Sequence, residues 1–230
     1  IPDKLNIFPI VVPVLEKVVF PIHHWVHLLT ANIVFGIFSE AQRFADNIPM
    51  MFFQDNLALE QVSIRELIQV GKNCLIDPSA IVIGPTIIGD NVIIEAGANV
   101  VASVIGDGSV VGQGCNIRLS VIGKNVTFPP PYASSLWSVI YDDSLINSST
   151  RFSVIGESTF IGGGVWFTDM ILSGDAIKSY GGRSVRVNFN NSVTDSGYWV
   201  LGAGIGNRVK IGTGMAIYPG RVIESDRIIF

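Results

Sequence analysis

Apolar positions recur along most of this chain with a period of six. Aliphatic side chains stand at Ile76, Val82, Ile88, Ile94 and Val100, then, after a step of five, at Ile105, Val111 and Ile117, and after another at Ile122. The pattern lapses, resumes at Ile140 and Ile146, shifts phase, and continues through Ile155, Ile161 and Phe167. After a long gap it returns at Ile205, Ile211, Ile217, Ile223 and Ile229 without a slip. A period this short and this persistent predicts a solenoid rather than a globular packing of long elements.

The positions around each aliphatic residue sharpen the prediction. Two places before it stand small residues, among them Ala80, Thr86, Ala98, Ser103, Ser109, Ser120, Ser138, Ser144, Thr159 and Ala203. Both cysteines, Cys74 and Cys115, lie on this track and read as small core fillers. Glycine often follows the aliphatic residue, as at Gly89, Gly106, Gly123 and Gly206, where a bend needs a permissive backbone. A hexad of this kind is one short strand plus one corner, and three hexads close a triangular coil. Stacked coils pair their strands in parallel about 4.8 Å apart and bury a column of Ile and Val. The fold class is therefore mainly β, a parallel β-helix over residues 71–230.

The rest of the chain fits around that column. Residues 1–22 carry four prolines and read as an extended linker, and 23–69 carry helical patterning at Trp25, Leu28, Leu29, Ile33 and Ile37. A short helical segment capping the base of the solenoid is expected, since terminal coils need covering. Two interruptions read as loops leaving the coil, 127–139 with its three consecutive prolines and 168–198 with a Gly-Gly pair and an Asn-rich stretch. Long loops in compact proteins tend to be functional, which makes the second the first place to look for a site.

Composition narrows the function classes. The chain has 230 residues, 48% of them hydrophobic and 15% charged, which excludes a disordered chain. A net charge of -4 gives no footprint for nucleic acid or an anionic membrane. The most apolar region, Leu5–Phe38, is broken by prolines, charges and histidines, so no membrane span is expected. Two cysteines are too few for a disulfide scaffold, and a cytoplasmic setting follows as the expectation. The sequence opens on Ile1, as a processed protein or excised fragment would.

The run IGDN, IGDG, VGQG, IGKN, IGES, IGGG, IGNR and IGTG resembles the hexapeptide-repeat family of left-handed β-helices, and that resemblance supplies the hand. HLLTAN at 27–32, RFSVIGES at 151–158, FIGGGVWFTD at 160–169 and LGAGIGNRVKIGTGMAIYPGRVI at 201–223 are similar to one branch of it. That branch is the C-terminal domain of bifunctional sugar-phosphate nucleotidylyltransferases that also carry amino-sugar-1-phosphate N-acetyltransferase activity. The resemblance implies a homotrimer, acetyl-CoA as donor, and an active site between subunits.

It also implies site residues. The family places its histidine base just before a segment like Phe152–Glu157, where this chain has Arg151, and a guanidinium cannot take a proton from an amine. A family arginine that binds the sugar phosphate corresponds to Arg118, which can also be read as a solvated corner residue, and a partner lysine falls near Leu136. A family asparagine corresponds to Asp169, which could accept a proton but would repel a phosphate. About three extra residues between Ile146 and Ile155 bear on the Arg151 correspondence. Arg151 and Asp169 are thus the candidate catalytic positions.

In the second loop, Lys178, Tyr180, Arg183 and Arg186 form a basic group that reads either as solvated loop charge or as a site for a sugar phosphate, a nucleotide or CoA. The histidines His23, His24 and His27 precede the repeats and read as cap or helix-surface residues, so no metal site is expected. No nucleotidylyltransferase signature occurs in these residues. Two readings remain: a transferase-like domain of nucleotide-sugar metabolism with altered or lost acyl transfer, and a non-catalytic trimerisation scaffold.

Overall fold

A computed structural model describes residues 13–14, 17–18, 22–38, 67–131, 133–171, 184–189 and 191–230. From Ile68 onward short parallel strands stack into three sheets of eight, eight and seven strands, a parallel β-solenoid of about eight turns. The first face runs from Ile68–Val70 to Val222–Ile223, the second from Leu75–Ile76 to Ile228–Ile229, and the third from Ile81–Ile83 to Ala216–Ile217. This is the predicted architecture, and it is consistent with a left-handed β-helix.

The hexad pattern is the inward file. On the first face Ile88, Ile105, Ile122, Ile140, Ile155, Ile205 and Ile223 pair rung on rung in register. Those from Ile88 to Ile205 are buried, and each contributes about 1.5–3 kcal/mol on leaving water. Cys115 belongs to the same core and Cys74 packs against it, as small fillers.

The described residues of 127–139 do not leave the coil, contrary to the sequence expectation. Thr127–Phe128 pairs with Val110–Val111, and Ser134–Leu136 lies between Asn116–Arg118 and Ser149–Arg151. Phe128 stands six residues after Ile122 and takes the inward place; Ser135 and Thr150 take the next two on the third face, all three buried. Ser135 is tolerable there because its hydroxyl donates to Ser120 Oγ at 3.0 Å. The prolines make only the corner.

The second departure does interrupt the coil: the strand after Trp166–Phe167 is Gly204–Ile205, which pairs with Val154–Ile155. Its described part includes a hairpin of Arg186–Phe189 against Ser192–Asp195. Residues 172–183, with Lys178, Tyr180 and Arg183, lie outside the described residues.

Helix α1, Trp25–Ala31, continues as a π-helical stretch, Asn32–Phe38. Its buried Val26, Leu29, Ile33 and Ile37 share a cluster with the outward Val139 and Val154 of the first face, and with Val185, Val187 and Leu201 of the insertion. At Gly204 the absent side chain makes room for the Trp25 ring, which a Cβ would meet at 2.8 Å. The helix therefore lies along the flank of the solenoid, and the expected cap over its base is not where these residues go. Residues 39–66 of that predicted segment, and all of the 1–22 linker but Pro13–Val14, Lys17–Val18 and Ile22, are outside the described residues.

The helix and hairpin are joined through His24. Its Nδ1 accepts the Val26 N–H at 3.3 Å as the helix cap, so Nε2 carries the proton and donates to Asn188 O at 3.1 Å. Thr30 and Tyr198 share a hydroxyl contact of 3.1 Å.

Candidate functional site

The site is built on the third face by ladder register. Asn116, Ile117 and Arg118 stack under Ser134, Ser135 and Leu136, which stack under Ser149, Thr150 and Arg151. Side chains alternate across a strand, so Ile117, Ser135 and Thr150 point inward while the flanking residues point out. Arg118 and Arg151 consequently stand in one outward file, two rungs apart, roughly 10 Å between backbones. Leu136 occupies the rung between them.

These residues line a pocket of about 340 Å³ with Asn116, Ser134, Ser149, Trp166 and others. Arg151 Nε lies 3.2 Å from Asp169 Oδ2, the arginine half exposed at 50% and the carboxylate at 17%. Asp169 sits at the root of the insertion, where its carbonyl accepts the Leu201 N–H at 2.8 Å. That bond holds the backbone from which the Asp169 carboxylate reaches Arg151.

Directly after each arginine the backbone turns through the left-handed region, at Leu119 with φ 48° and Phe152 with φ 47°. That conformation is costly for bulky residues and persists only where the surroundings enforce it. A serine does so in each case. Ser120 donates to Arg118 O at 2.8 Å and accepts the Ser138 N–H at 3.2 Å. Ser153 donates to Arg151 O at 2.7 Å and accepts the Ala203 N–H at 3.0 Å. The buried hydroxyl file set by the small-residue track is therefore what holds the arginine backbones in place. Gly202 completes the corner: a Cβ there would meet Arg151 O at 2.0 Å.

The chemistry available is recognition of an anion. Two guanidinium groups present forked donors matched to phosphate oxygens, and Ser134 and Ser149 add hydroxyls, which already bond each other at 2.7 Å. Asn116 Oδ1 is buried with no hydrogen-bond partner among the described residues, as is Asn99 Oδ1 one coil away. These groups fit the phosphates of a sugar phosphate, a nucleotide or CoA. Among the described residues no group of three His, Cys, Asp or Glu could hold a metal.

The register brings together Arg118 and Arg151 from the sequence analysis, and Asp169, outside the pocket lining, reaches them only through its ion pair with Arg151. It does not bring in Arg186, an exposed hairpin residue opposite Asp195 that is absent from the pocket lining. The histidines are not pocket residues either. Sequence reasoning missed Asn116, Ser134, Ser149 and Trp166; the signal was the coil length, since stepping one coil at a time from Asn99 reaches each in turn.

No curated protein matches the chain. Among solved structures it is similar to a mutant of perosamine N-acetyltransferase from Caulobacter crescentus in complex with CoA and GDP-perosamine, at 11% identity and TM-score 0.31, over 70% of this chain and 54% of that one. It is also similar to the acetyltransferase domain of PglB from Neisseria gonorrhoeae in complex with acetyl coenzyme A, at 14% identity and TM-score 0.27, over 67% of this chain and 53% of that one. The chain spans about half the length of these structures. Residues 68–102, six strands making the first two coils, match the family described as bacterial transferase hexapeptide (six repeats).

Proposed function

We propose that this chain is a hexapeptide-repeat, transferase-like domain of amino-sugar or nucleotide-sugar metabolism. It works in the cytoplasm as a homotrimer and binds a sugar phosphate or nucleotide sugar, with acetyl-CoA as the acyl donor, at a site between subunits. Acyl transfer is weakened or lost. The observation that carries this reading is the placement of Arg118 and Arg151 in one pocket, with Asp169 turned onto Arg151.

An amine acceptor must lose a proton during acyl transfer, and a positioned base speeds that step by roughly 10²–10⁴-fold. Arg151 cannot take that proton, and Asp169 is engaged with Arg151. Two cations and hydrogen-bonding groups around them favour binding an anion over deprotonating an amine.

A second reading, a trimerisation scaffold, draws support from the second face, where Leu75 and Ile93 at one end and Phe160 and Ile228 on either side of Lys210 at the other are exposed apolar side chains. One experiment separates the two. Glucosamine 1-phosphate and acetyl-CoA at about 100 times their dissociation constants should stabilise the purified chain by about 2.7 kcal/mol each. Arg118→Ala should abolish the sugar-phosphate shift, and thiol release from acetyl-CoA should stay near background. Absence of any shift with both ligands removes the ligand-site reading and leaves the scaffold.

A further inference from the structure

Trp166 is the largest group on the pocket and is exposed, at 71%. In its file it pairs with Ser149 on one side and Ala216 on the other. Both are too short to cover an indole, and the next rung below Ser149 is Ser134. A run of small side chains beneath an exposed indole leaves a slot bounded by Trp166 at one end and by Asn116 and Arg118 at the other. The slot spans three ladder steps, roughly 14 Å. Arg151 borders it one rung from the indole, and Asn116 lies at the far end.

An exposed indole beside cationic side chains offers a flat aromatic face on which a ring can stack. The neighbouring cations say what that ring is attached to. We propose that Trp166 is the stacking platform for the base of a nucleoside diphosphate group, whose phosphates lie along Arg151 and Arg118. This rests on the anion-site reading and deepens it by naming the ligand class. The same group occurs in a nucleotide sugar and, with adenine as its base, in CoA. A pyrimidine and a purine nucleotide therefore distinguish the sources.

The test is calorimetric titration of the purified chain with UDP, ADP, glucose 1-phosphate and inorganic pyrophosphate, repeated on Trp166→Ala, Trp166→Phe and Arg118→Ala. Base–aromatic stacking by alanine substitution is worth roughly tenfold or more in affinity. We expect Trp166→Ala to weaken a nucleoside diphosphate by that factor, Trp166→Phe to restore most of it, and pyrophosphate to bind both variants as it binds the parent. UDP as the tighter nucleotide assigns the slot to a nucleotide sugar and ADP assigns it to CoA; either supports the proposal. Equal weakening of glucose 1-phosphate by Trp166→Ala overturns base stacking, as does nucleotide binding insensitive to Trp166→Ala. A change of molecular mass in Trp166→Ala by light scattering also overturns it, since the indole would then belong to an interface. Loss of pyrophosphate binding in Arg118→Ala alone, with Trp166 inert, leaves the anion site standing; no binding of any probe removes both readings.

Discussion

The arginine pair shows how little freedom a single position has in this fold. Arg151 is half exposed, so its ion pair with Asp169 adds about 0–1 kcal/mol to stability. Its backbone is far more constrained, because the Arg151 carbonyl is pinned by the Ser153 hydroxyl and faces Gly202 across the corner. Gly202→Ala would drive a methyl into that carbonyl and into Ser153 Oγ. Overpacking of this kind costs about 1–3 kcal/mol. The expected outcome is a lower denaturant midpoint and weaker binding of anions together, since the displaced carbonyl carries the guanidinium with it. Asp169→Asn should separate the two effects, leaving the midpoint within about 1 kcal/mol of the parent while altering pyrophosphate affinity. Unchanged stability in Gly202→Ala would show that the corner relaxes more easily than its contacts imply.

At the scale of elements, the flank helix and the inserted hairpin depend on neutral histidines. Burial lowers the His24 value from 6.5 and the Asn188 carbonyl partly opposes this; burial and the neighbouring His24 and His23 lower that of His27. His27 Nδ1 also accepts the His23 N–H at 3.1 Å, and His24 Nδ1 accepts that of Val26 at 3.3 Å, so protonating either ring sets N–H against N–H. The folded chain binds these protons less readily than the unfolded one. Stability is therefore full above 6.5 and falls as the pH drops below 6.5 toward the lowered folded values. Melting temperatures between pH 7.5 and 5 should fall for the parent and fall less for His24→Asn, since asparagine keeps a good helix cap without titrating. Parallel pH curves for the two would remove His24 from the switch. The histidine contacts and the surface that receives the helix were not legible beforehand. The pattern at Trp25, Leu29, Ile33 and Ile37 announces a helix with one apolar face, but periodicity carries no information about which surface receives it. The receiving surface is the outward file containing Val139 and Val154, whose burial looks like an extra apolar strand position until the helix is seen to cover it. Of the proposed anion site, Arg118 and Arg151 were named in the sequence one by one, through the family resemblance. Its assembly was hidden because the coil length varies, from the five-residue steps to the short coil at Thr150.

For the whole molecule, the solenoid is a one-dimensional stack in which each rung contacts its neighbours, and an aliphatic template reads it only where the inward residue is aliphatic. Phe128, Ser135 and Thr150 fill inward places without matching that template, which is why a regular stretch looked like a loop. The strand Lys210–Ile211 tests the register most directly, because its two residues face opposite ways. Ile211 is fully buried between Ile161 and Ile229, whereas Lys210 is exposed between Phe160 and Ile228. A carboxylate at the inward place would meet only aliphatic neighbours and has no cation to pair with. An uncompensated buried charge costs about 3–5 kcal/mol, a large fraction of the 5–15 kcal/mol typical of a folded chain. Ile211→Asp should therefore unfold the protein or lower its midpoint severely, while Lys210→Asp, one residue away on the solvent side, should stay within about 0.5 kcal/mol. Comparable effects from the two substitutions, measured by urea denaturation, would mean that the strand does not alternate between core and solvent, and the pairing that sets Arg118 in file with Arg151 would lose its basis.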